Sequence, residues 1–219
     1  MLLWQCPHCH VDDALAHKIP WFKPEEVRCT RCTTTWEVQR VIGNDYLLKV
    51  TRGAPAILGQ ERPLAEWYDL MKAGLRLVAR QDASVKLPAG EELYVRSREA
   101  RLSMEADNPL LRRWDEEEAP SEKEGDLGLT FMRKCDRGRL SLTSERFIWA
   151  GNRMALTFRL QKVNSVHADL SLFFGMLYGL RLYRFQFDKE SSLKWLTYTA
   201  LVATRVQRAH GDQISLSNY

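Results

Sequence analysis

Apolar residues recur with two different periods along the chain, and the period changes near residue 88. Between residues 64 and 80 they return every third or fourth position, at Leu64, Trp67, Leu70 or Met71, Leu75 and Val78. This spacing places them on one face of a helix, which Pro63 is suited to begin. A helix of this length needs another surface to pack on, so the sequence predicts that it belongs to a larger unit.

Beyond Pro88 the alternation has a period of two, which predicts a series of short strands. Leu93 and Val95 alternate with polar neighbours, and so does a second set from residue 100 to 104, in the opposite phase. The change of phase predicts a bulge or bend at residues 97–99.

Turn residues then separate further strands. Thr143-Ser144-Glu145 and Gly151-Asn152 are typical of turns, and alternating strands are predicted at residues 154–160 and 183–187. A final amphipathic helix is predicted from Ser191 to Ala209, because Trp195 and its apolar neighbours share one face and a glycine follows at 211.

Composition adds limits to this picture. The chain has 219 residues, 45% of them hydrophobic, and a formal net charge of +4. This charge permits contact with anionic lipid or nucleic acid without requiring it. No run reaches the roughly 18–20 apolar residues that cross a bilayer, and no secretory signal is recognisable at the N-terminus. We therefore expect a cytoplasmic protein, with peripheral membrane contact left open.

One segment has a charge of its own. Residues 112–126 contain seven acidic and three basic side chains. This composition predicts a solvated, mobile acidic loop, which we place at residues 105–126 inside a domain. The rest of the chain is then more basic than the whole.

Four of the five cysteines form two Cys-x-x-Cys pairs, Cys6 with Cys9 and Cys29 with Cys32. Two residues between cysteines allow one tight turn to aim both sulfurs at a single point, and two such turns supply four thiolates in a tetrahedron, the geometry that zinc favours. About 45 residues cannot bury enough apolar area to fold alone. The spacing therefore predicts one structural Zn²⁺, whose binding would contribute folding free energy.

The residues around these pairs resemble the short zinc ribbons at the N-termini of many bacterial proteins. The resemblance rests on residues 2–9, 27–32 and 36–38, about a fifth of the chain. His10 and Thr33 stand where such ribbons often carry glycine. Trp4, Trp36 and Val38 are expected to cover one face of the ribbon.

Other interpretations of the cysteines are less favoured. A rubredoxin-type iron site would use the same four ligands, and a redox Cys-x-x-Cys would leave the pairing of two motifs unexplained. His8 and His10 are interpreted as bystanders beside a complete set of thiolates. Cys135, the fifth cysteine, is interpreted as a free thiol.

A second resemblance covers about half of the chain. Residues 87–92, before the first strand, resemble the opening of bacterial pleckstrin-homology-like and GRAM-like domains. Residues 138–149, with the pattern G-x-L-x-L-T-x-x-R, resemble their central hairpin, and residues 160–166 the strand that follows it. The resemblance implies a binding module for phosphoinositides, anionic membranes, peptides or partner domains. It singles out five candidate ligand-binding residues: Lys134, Arg137, Arg139, Arg146 and Arg153. The alternative is that these are scattered solvated charges on strand edges and turns.

Residues 172–178, Leu-Phe-Phe-Gly-Met-Leu-Tyr, allow two interpretations. An exposed loop would dip into a membrane interface or fill a partner's groove. A buried strand is the favoured alternative.

Together these patterns predict an α+β protein, with a small zinc ribbon and a mainly antiparallel pleckstrin-homology-like sheet or barrel closed by a C-terminal helix. The predicted ranges are 1–45 for the ribbon, 46–83 for a linker with the amphipathic helix, 84–210 for the second domain and 211–219 for a tail. Within the linker, Gly and Pro residues at 51–63 mark the connecting segment.

The leading functional hypothesis is a non-enzymatic adaptor that docks a protein partner or an anionic membrane surface. The sequence has no Gly-rich phosphate loop, no G-x-S-x-G and no H-E-x-x-H, and His167 and Asp169 have no evident nucleophile beside them. Nucleic-acid binding by the ribbon is an alternative, but residues 1–40 carry five basic and five acidic side chains. A structural subunit of a larger assembly is the third hypothesis. The oligomeric state and the partner's identity stay open.

Overall fold

The computed structural model describes residues 3–22, 24–41, 45–105, 132–169, 173–188, 190–210 and 215–218. The chain divides into two units, Met1–Leu77 and Val78–Tyr219. The predicted acidic loop beyond Glu105 lies outside the described residues. Each unit is considered by itself below.

The N-terminal unit is built on an antiparallel sheet whose five strands follow one another in chain order. The strands are β1 (Leu15–Lys18), β2 (Glu25–Cys29), β3 (Thr35–Arg40), β4 (Tyr46–Arg52) and β5 (Glu61–Pro63). Every neighbouring pair is antiparallel and joined by a short connection, so the contacts that define the sheet are local in sequence.

The segment interpreted as a linker is part of this sheet. Residues 46–52 pair with β3, and Leu48 and Val50 are buried while Lys49 between them is exposed. The Gly and Pro residues at 53–59 form the turn that connects β4 to β5, with Gly59 at a φ of +78°, a value that glycine adopts without strain. Those residues therefore mark a hairpin turn within one unit, and the unit continues to Leu77.

Helix α1 (Leu64–Gly74) completes the N-terminal unit. It is shorter than the predicted range, which ran to residue 80. Its buried residues are Trp67 and Met71, and the Trp67 indole donates a hydrogen bond to the Leu48 carbonyl at 3.0 Å. The Trp67 ring meets Trp36 edge-on, with centroids 5.9 Å apart. The predicted need for a packing surface is thus met by the ribbon's own sheet.

Among the residues that the structure describes, the C-terminal unit has nine strands in one sheet and a long helix. The strands are β6 (Leu93–Arg96), β7 (Ala100–Glu105), β8 (Met132–Thr143), β9 (Arg146–Gly151), β10 (Ala155–Arg159), β11 (Val163–Ala168), β12 (Phe174–Tyr178), β13 (Arg181–Phe187) and β14 (Ser215–Asn218). A single 3-10 turn at Leu160–Lys162 separates β10 from β11.

The strand order in this sheet is β10-β9-β8-β7-β13-β12-β11-β14, and β6 also pairs with β8. The two halves meet where β7 pairs with β13, far apart in sequence. The first half of strand β8 pairs with β7, and its last residues pair with β6. The break at residues 97–99 therefore lets β6 and β7 both pair with one long strand of a curled sheet. The amide of Ser97 donates to Leu140 and its hydroxyl accepts from the Leu140 amide, at 2.8 Å each, which confirms the predicted bend.

Helix α2 (Ser192–His210) packs against the concave part of this sheet through β6, β11 and β12. Trp195 is fully buried, and its ring stacks on Phe187 with centroids 5.0 Å apart and planes 7° apart. Leu193, Tyr198 and Val202 are buried on the same helix. The α+β class, the mostly antiparallel sheets and the C-terminal helix with its tryptophan anchor are therefore confirmed.

The C-terminal end departs from the predicted tail. Residues 215–218 form β14, which pairs in parallel with β11. This parallel pair is possible because α2 returns the chain across the sheet before β14 begins.

Candidate metal centre and anion-binding cleft

The four paired cysteines meet at one point in the N-terminal unit. Their sulfur atoms all lie within 4.8 Å of one another, with Cys6 Sγ 3.6 Å from Cys32 Sγ and Cys9 Sγ 3.7 Å from Cys29 Sγ. These separations exceed a disulfide bond, and all four cysteines are free. The arrangement is a cluster of four sulfurs that could hold one metal ion.

Two tight turns bring the sulfurs together. In the first, the His10 amide donates to the Cys6 carbonyl at 2.9 Å. In the second, the amides of Arg31 and Cys32 point at Cys29 Sγ, at 3.4 and 3.5 Å. Amide hydrogens directed at sulfur stabilise negative charge there, which suits a thiolate ligand.

The residue that follows each turn has left-handed backbone geometry. His10 has a φ of 56° and Thr33 a φ of 60°, in the positions where related ribbons often carry glycine. A side chain other than glycine costs about 1–2 kcal/mol in this conformation. The His10 ring lies against Gly74 at the end of α1, so closely that a Cβ at that position would lie 2.5 Å from His10 Cε1. The backbone geometry of a glycine turn is therefore retained although the residues differ.

Burial and hydrogen bonds together shift the pKa of three of these thiols. It raises the pKa of the Cys6 thiol strongly and also raises the pKa of Cys9. At Cys32 burial acts in the same direction, but hydrogen bonds from Thr34 and the neighbouring thiols outweigh it and lower the pKa to about 7. The Thr34 hydroxyl lies 3.2 Å from Cys32 Sγ. Buried thiols of this kind become thiolates when a cation lies between them.

A second feature lies in the C-terminal unit, where a basic cleft opens beside the start of β8. Its volume is about 500 Å³, within the range of ligand sites. Four cationic side chains line it, Arg133, Lys134, Arg153 and Arg181, together with Met104, Met154, Cys135 and one acid, Glu105. Glu105 accepts the Leu182 amide at 3.2 Å. Among the described residues that line the cleft, four positive charges stand against one negative charge, so this part of its lining is electropositive.

Asp136 positions part of this cleft. Its carboxylate is nine-tenths buried and accepts the backbone amides of Arg153 and Met154 at 3.1–3.2 Å and that of Arg137 at 2.8 Å. Burial acts to raise the Asp136 pKa, but these hydrogen bonds to the ionised form outweigh it and lower the pKa. The buried carboxylate thus fixes the turn that carries Arg153.

The five predicted ligand-binding residues do not all converge. Lys134 and Arg153 line the cleft. Arg137 is exposed and lies 3.9 Å from Glu99, and Arg139 is exposed on β8. In the register of β8 with β7, Lys134 lies opposite Ser103 and Arg137 opposite Arg101, on one face of the sheet, but neither Arg137 nor Arg139 lines the cleft.

Arg146 has a structural partner. Its guanidinium donates to both carboxylate oxygens of Glu91, at 2.9 and 2.7 Å, and the Thr143 hydroxyl donates to the same carboxylate at 2.6 Å. The Glu91 side chain is 2% exposed and that of Arg146 is 26% exposed. The threonine and arginine of the G-x-L-x-L-T-x-x-R pattern therefore tie the hairpin to the segment before β6.

Sequence reasoning missed Arg133 and Arg181 as cleft residues. Arg133 adjoins a predicted candidate, so a wider window would have included it. Arg181 begins β13 and reaches the cleft through the pairing of β13 with β7, a contact between residues almost eighty positions apart. No local pattern indicates that neighbour.

The two interpretations of residues 172–178 are resolved for the part that is described. Phe174 and Met176 are fully buried in β12, and Phe173 is half-buried. Leu172 lies outside the described residues. From residue 173 onward the segment is a buried strand and offers no exposed apolar loop.

Neither known family models nor curated proteins match this chain. Among the described residues, no helix combines the length and apolar character needed to span a membrane. The assignment of function therefore depends on the two sites themselves.

Proposed function

We propose that this protein is a non-enzymatic adaptor, in which one structural zinc ion holds an N-terminal ribbon and a pleckstrin-homology-like unit docks an anionic, phosphate-bearing surface. The observation that carries the proposal is the pair of sites described above, a closed four-sulfur centre and an electropositive cleft, in separate units of one chain. Membrane phosphate is the target that we argue for, and a protein partner is an outcome of the tests.

The donor set fits zinc. Four sulfurs at a Zn–S distance of about 2.3 Å in a tetrahedron lie about 3.8 Å apart. The Cys6–Cys32 and Cys9–Cys29 sulfurs are 3.6 and 3.7 Å apart, and no pair of the four exceeds 4.8 Å. Cys6, Cys9, Cys29 and Cys32 would be the ligands. Zinc supplies charge and fixed geometry at such a site, and iron is the competing ion because the same ligands can hold it.

A structural role follows from the ligand number. Four protein thiolates fill a tetrahedral coordination sphere, so no position stays open for a reacting water. The sulfurs also join Leu3–Ala14 to the β2–β3 connection, and the unit's sheet and helix pack around that junction. Removal of the metal is therefore expected to unfold the N-terminal unit.

Elemental analysis of untagged protein tests the metal. We expect one zinc per chain and little iron. A chain with Cys29→Ser should bind less metal and lose the N-terminal unit's protection from amide hydrogen exchange, while Cys135→Ser, the matched control, keeps both. Stoichiometric iron would contradict the choice of ion, and the absence of any bound metal would contradict the site.

The pleckstrin-homology-like assignment is supported by topology. Strands β7 to β10 and strands β11 to β13 form two antiparallel series, which join where β7 pairs with β13, and a helix with a buried tryptophan packs on the sheet. These are the elements that the sequence resemblance implied.

The cleft supports anion docking because several donors converge there. A phosphate contact needs at least two donors aimed at one point, and arginine supplies a planar fork for phosphate oxygens. Lys134 comes from β8 and Arg153 from the turn between β9 and β10, and both line one cavity. Scattered surface charges would not share a cavity.

Calorimetric titration with a soluble inositol trisphosphate tests the cleft. We expect saturable binding that weakens with salt, and a loss of about tenfold or more when Lys134→Gln and Arg153→Gln are combined. Arg139→Gln, which removes an exposed charge from the same strand, is the matched control. Equal loss in the control would show a diffuse charge effect and contradict the cleft. Tighter binding of DNA, lost steeply with salt, would favour the nucleic-acid alternative.

A further inference from the structure

The connection between β1 and β2 presents the most exposed aromatic residues of the described chain. Trp21 is 94% exposed and Phe22 96%, and Ile19 beside them is 73% exposed. We call residues Ile19–Phe22 the aromatic tip. Two adjacent rings with almost no contact to their own unit form a convex apolar projection.

This exposure is unusual within the protein. The other described tryptophans are all at most 3% exposed: Trp4, Trp36, Trp67, Trp149 and Trp195. Large exposed apolar patches mark interaction sites in soluble domains. The aromatic tip therefore has a role other than packing within the ribbon.

The paired strands β1 and β2 hold the aromatic tip in place. Strands β1 and β2 pair in register from Leu15–Cys29 to Lys18–Glu26, and the Thr30 amide donates to the Ala14 carbonyl at 2.8 Å. Pro20 and Pro24 restrict the backbone on both sides of the aromatic pair. Because β2 ends at the metal ligand Cys29, the four-sulfur centre anchors the hairpin that carries the tip.

The apolar surface area of the aromatic tip distinguishes between a protein partner and a lipid bilayer as its binding partner. Phe and Trp each offer about 150–250 Å² of surface, so the two rings present roughly 300–500 Å². Two tips from two copies, or one tip and its groove, would bury less than the roughly 1,200 Å² of a stable protein interface. A bilayer needs no complementary groove, and its interface favours tryptophan, whose ring is apolar and whose N–H is polar.

We propose that the aromatic tip inserts into the interfacial region of a lipid bilayer. The insertion is apolar in character, since Lys18 lies opposite Glu26 in the hairpin and Glu25 contacts His17, which leaves little net charge beside the rings. It deepens the proposed function by adding a membrane contact, but it stands on residues that the cleft does not use. It therefore persists on zwitterionic lipid and at high salt.

Sedimentation with vesicles tests the insertion. The full chain, loaded with metal, is mixed with vesicles of phosphatidylcholine alone and of phosphatidylcholine with phosphatidylserine. The double variant Trp21→Ser with Phe22→Ser should lose about tenfold or more of its partitioning on both. Leu58→Ala, which removes an apolar residue 54% exposed elsewhere in the same unit, is the matched control and should bind like the unaltered chain.

A second variant shows where the ring lies. Phosphatidylcholine brominated on its acyl chains should quench part of the tryptophan fluorescence of the bound chain. Trp21→Phe keeps an apolar ring, so it should keep sedimenting but lose that quenching. Inositol trisphosphate binding, measured on the same variants, should be unchanged, which separates failure of the tip from failure of the cleft.

Three results would overturn the proposal. The double variant could sediment as well as the unaltered chain, or the bound chain could show no quenching that depends on Trp21. In the third, the unaltered chain fails to bind vesicles but self-associates in sedimentation velocity through Trp21 and Phe22, which makes the tip a contact between copies.

Discussion

The ion pair between Arg146 and Glu91 gives the sharpest test of the C-terminal unit, because Arg146 was first a candidate ligand. The change to make is Arg146→Ala. It removes two hydrogen bonds, at 2.9 and 2.7 Å, from a carboxylate that is 2% exposed, and leaves only the Thr143 hydroxyl at 2.6 Å.

The exposed fractions of the Glu91 and Arg146 side chains determine how much each substitution should lower the free energy of unfolding. Breaking a buried ion pair costs about 3–5 kcal/mol when a charge is left behind. Arg146 itself is 26% exposed, so water screens part of the pair, and we expect the low end, about 3 kcal/mol. Glu91→Ala should cost less, about 1–2 kcal/mol, because the arginine that remains can reach water. The order of the two losses is a direct consequence of which partner is buried.

Urea unfolding followed by tryptophan fluorescence measures these losses, with amide hydrogen exchange of β8 and β9 to assign the transition to the C-terminal unit. The double variant Arg146→Ala with Glu91→Ala should be more stable than the sum of the single losses predicts. Arg139→Ala on the same strand is the control and should stay within about 0.5 kcal/mol of the unaltered protein.

The reasoning fails if Arg146→Ala leaves the free energy of unfolding unchanged, or if Glu91→Ala is the more damaging substitution. A variant with normal stability but no inositol trisphosphate binding would instead return Arg146 to the list of ligands.

Three further substitutions follow from the same unit. Gly138→Ala should destabilise it by about 1–3 kcal/mol in urea unfolding, because an added Cβ would collide with the Ala150 carbonyl across the β8–β9 pair; unchanged stability would contradict that packing. The pKa of Asp136 is lowered in the folded state, so its stabilising effect is complete above about pH 4 and is lost as the pH falls toward the folded pKa. Asp136→Asn should therefore flatten the acid dependence of the melting temperature. A variant whose melting temperature falls as steeply with acid as that of the unaltered protein would refute this role. Lys194→Met should cost about 3 kcal/mol, because it removes the cation 3.3 Å from the buried Glu190 carboxylate and leaves that carboxylate with the Arg98 amide at 2.6 Å; a more stable variant in thermal melts would show that the pair is dispensable.

The sequence predicted helices and strands correctly where a single period of apolar residues dominated the segment. Strands β9 and β10 alternate more buried and less buried residues, and α2 keeps its apolar residues on one face, so their patterns were sufficient. Strands β4 and β5 were missed because Gly and Pro between them are as typical of linkers as of hairpin turns. The pairing of β4 with β3, which places Leu48 opposite Val38, distinguishes a hairpin turn from a linker.

The sites show the same division. Each Cys-x-x-Cys pair is local in sequence, and two such pairs supply the four ligands of a tetrahedral metal site. The spacing of the cysteines was therefore sufficient to predict that the four sulfurs come together. The cleft depends on where β13 pairs, and the fate of Arg146 depends on Glu91, fifty-five positions away. Charge alone cannot distinguish an arginine with a buried partner from one that awaits a ligand.

The contact between His10 and Gly74 has an evolutionary consequence. The ring at position 10 occupies the space that any side chain at position 74 would need, so the two positions are not free to vary independently. Proteins descended from the same ancestor should pair a bulky residue at 10 with glycine at 74, and a glycine at 10 with a wider choice at 74. Such paired replacements would record, across species, how closely the helix sits against the first cysteine turn.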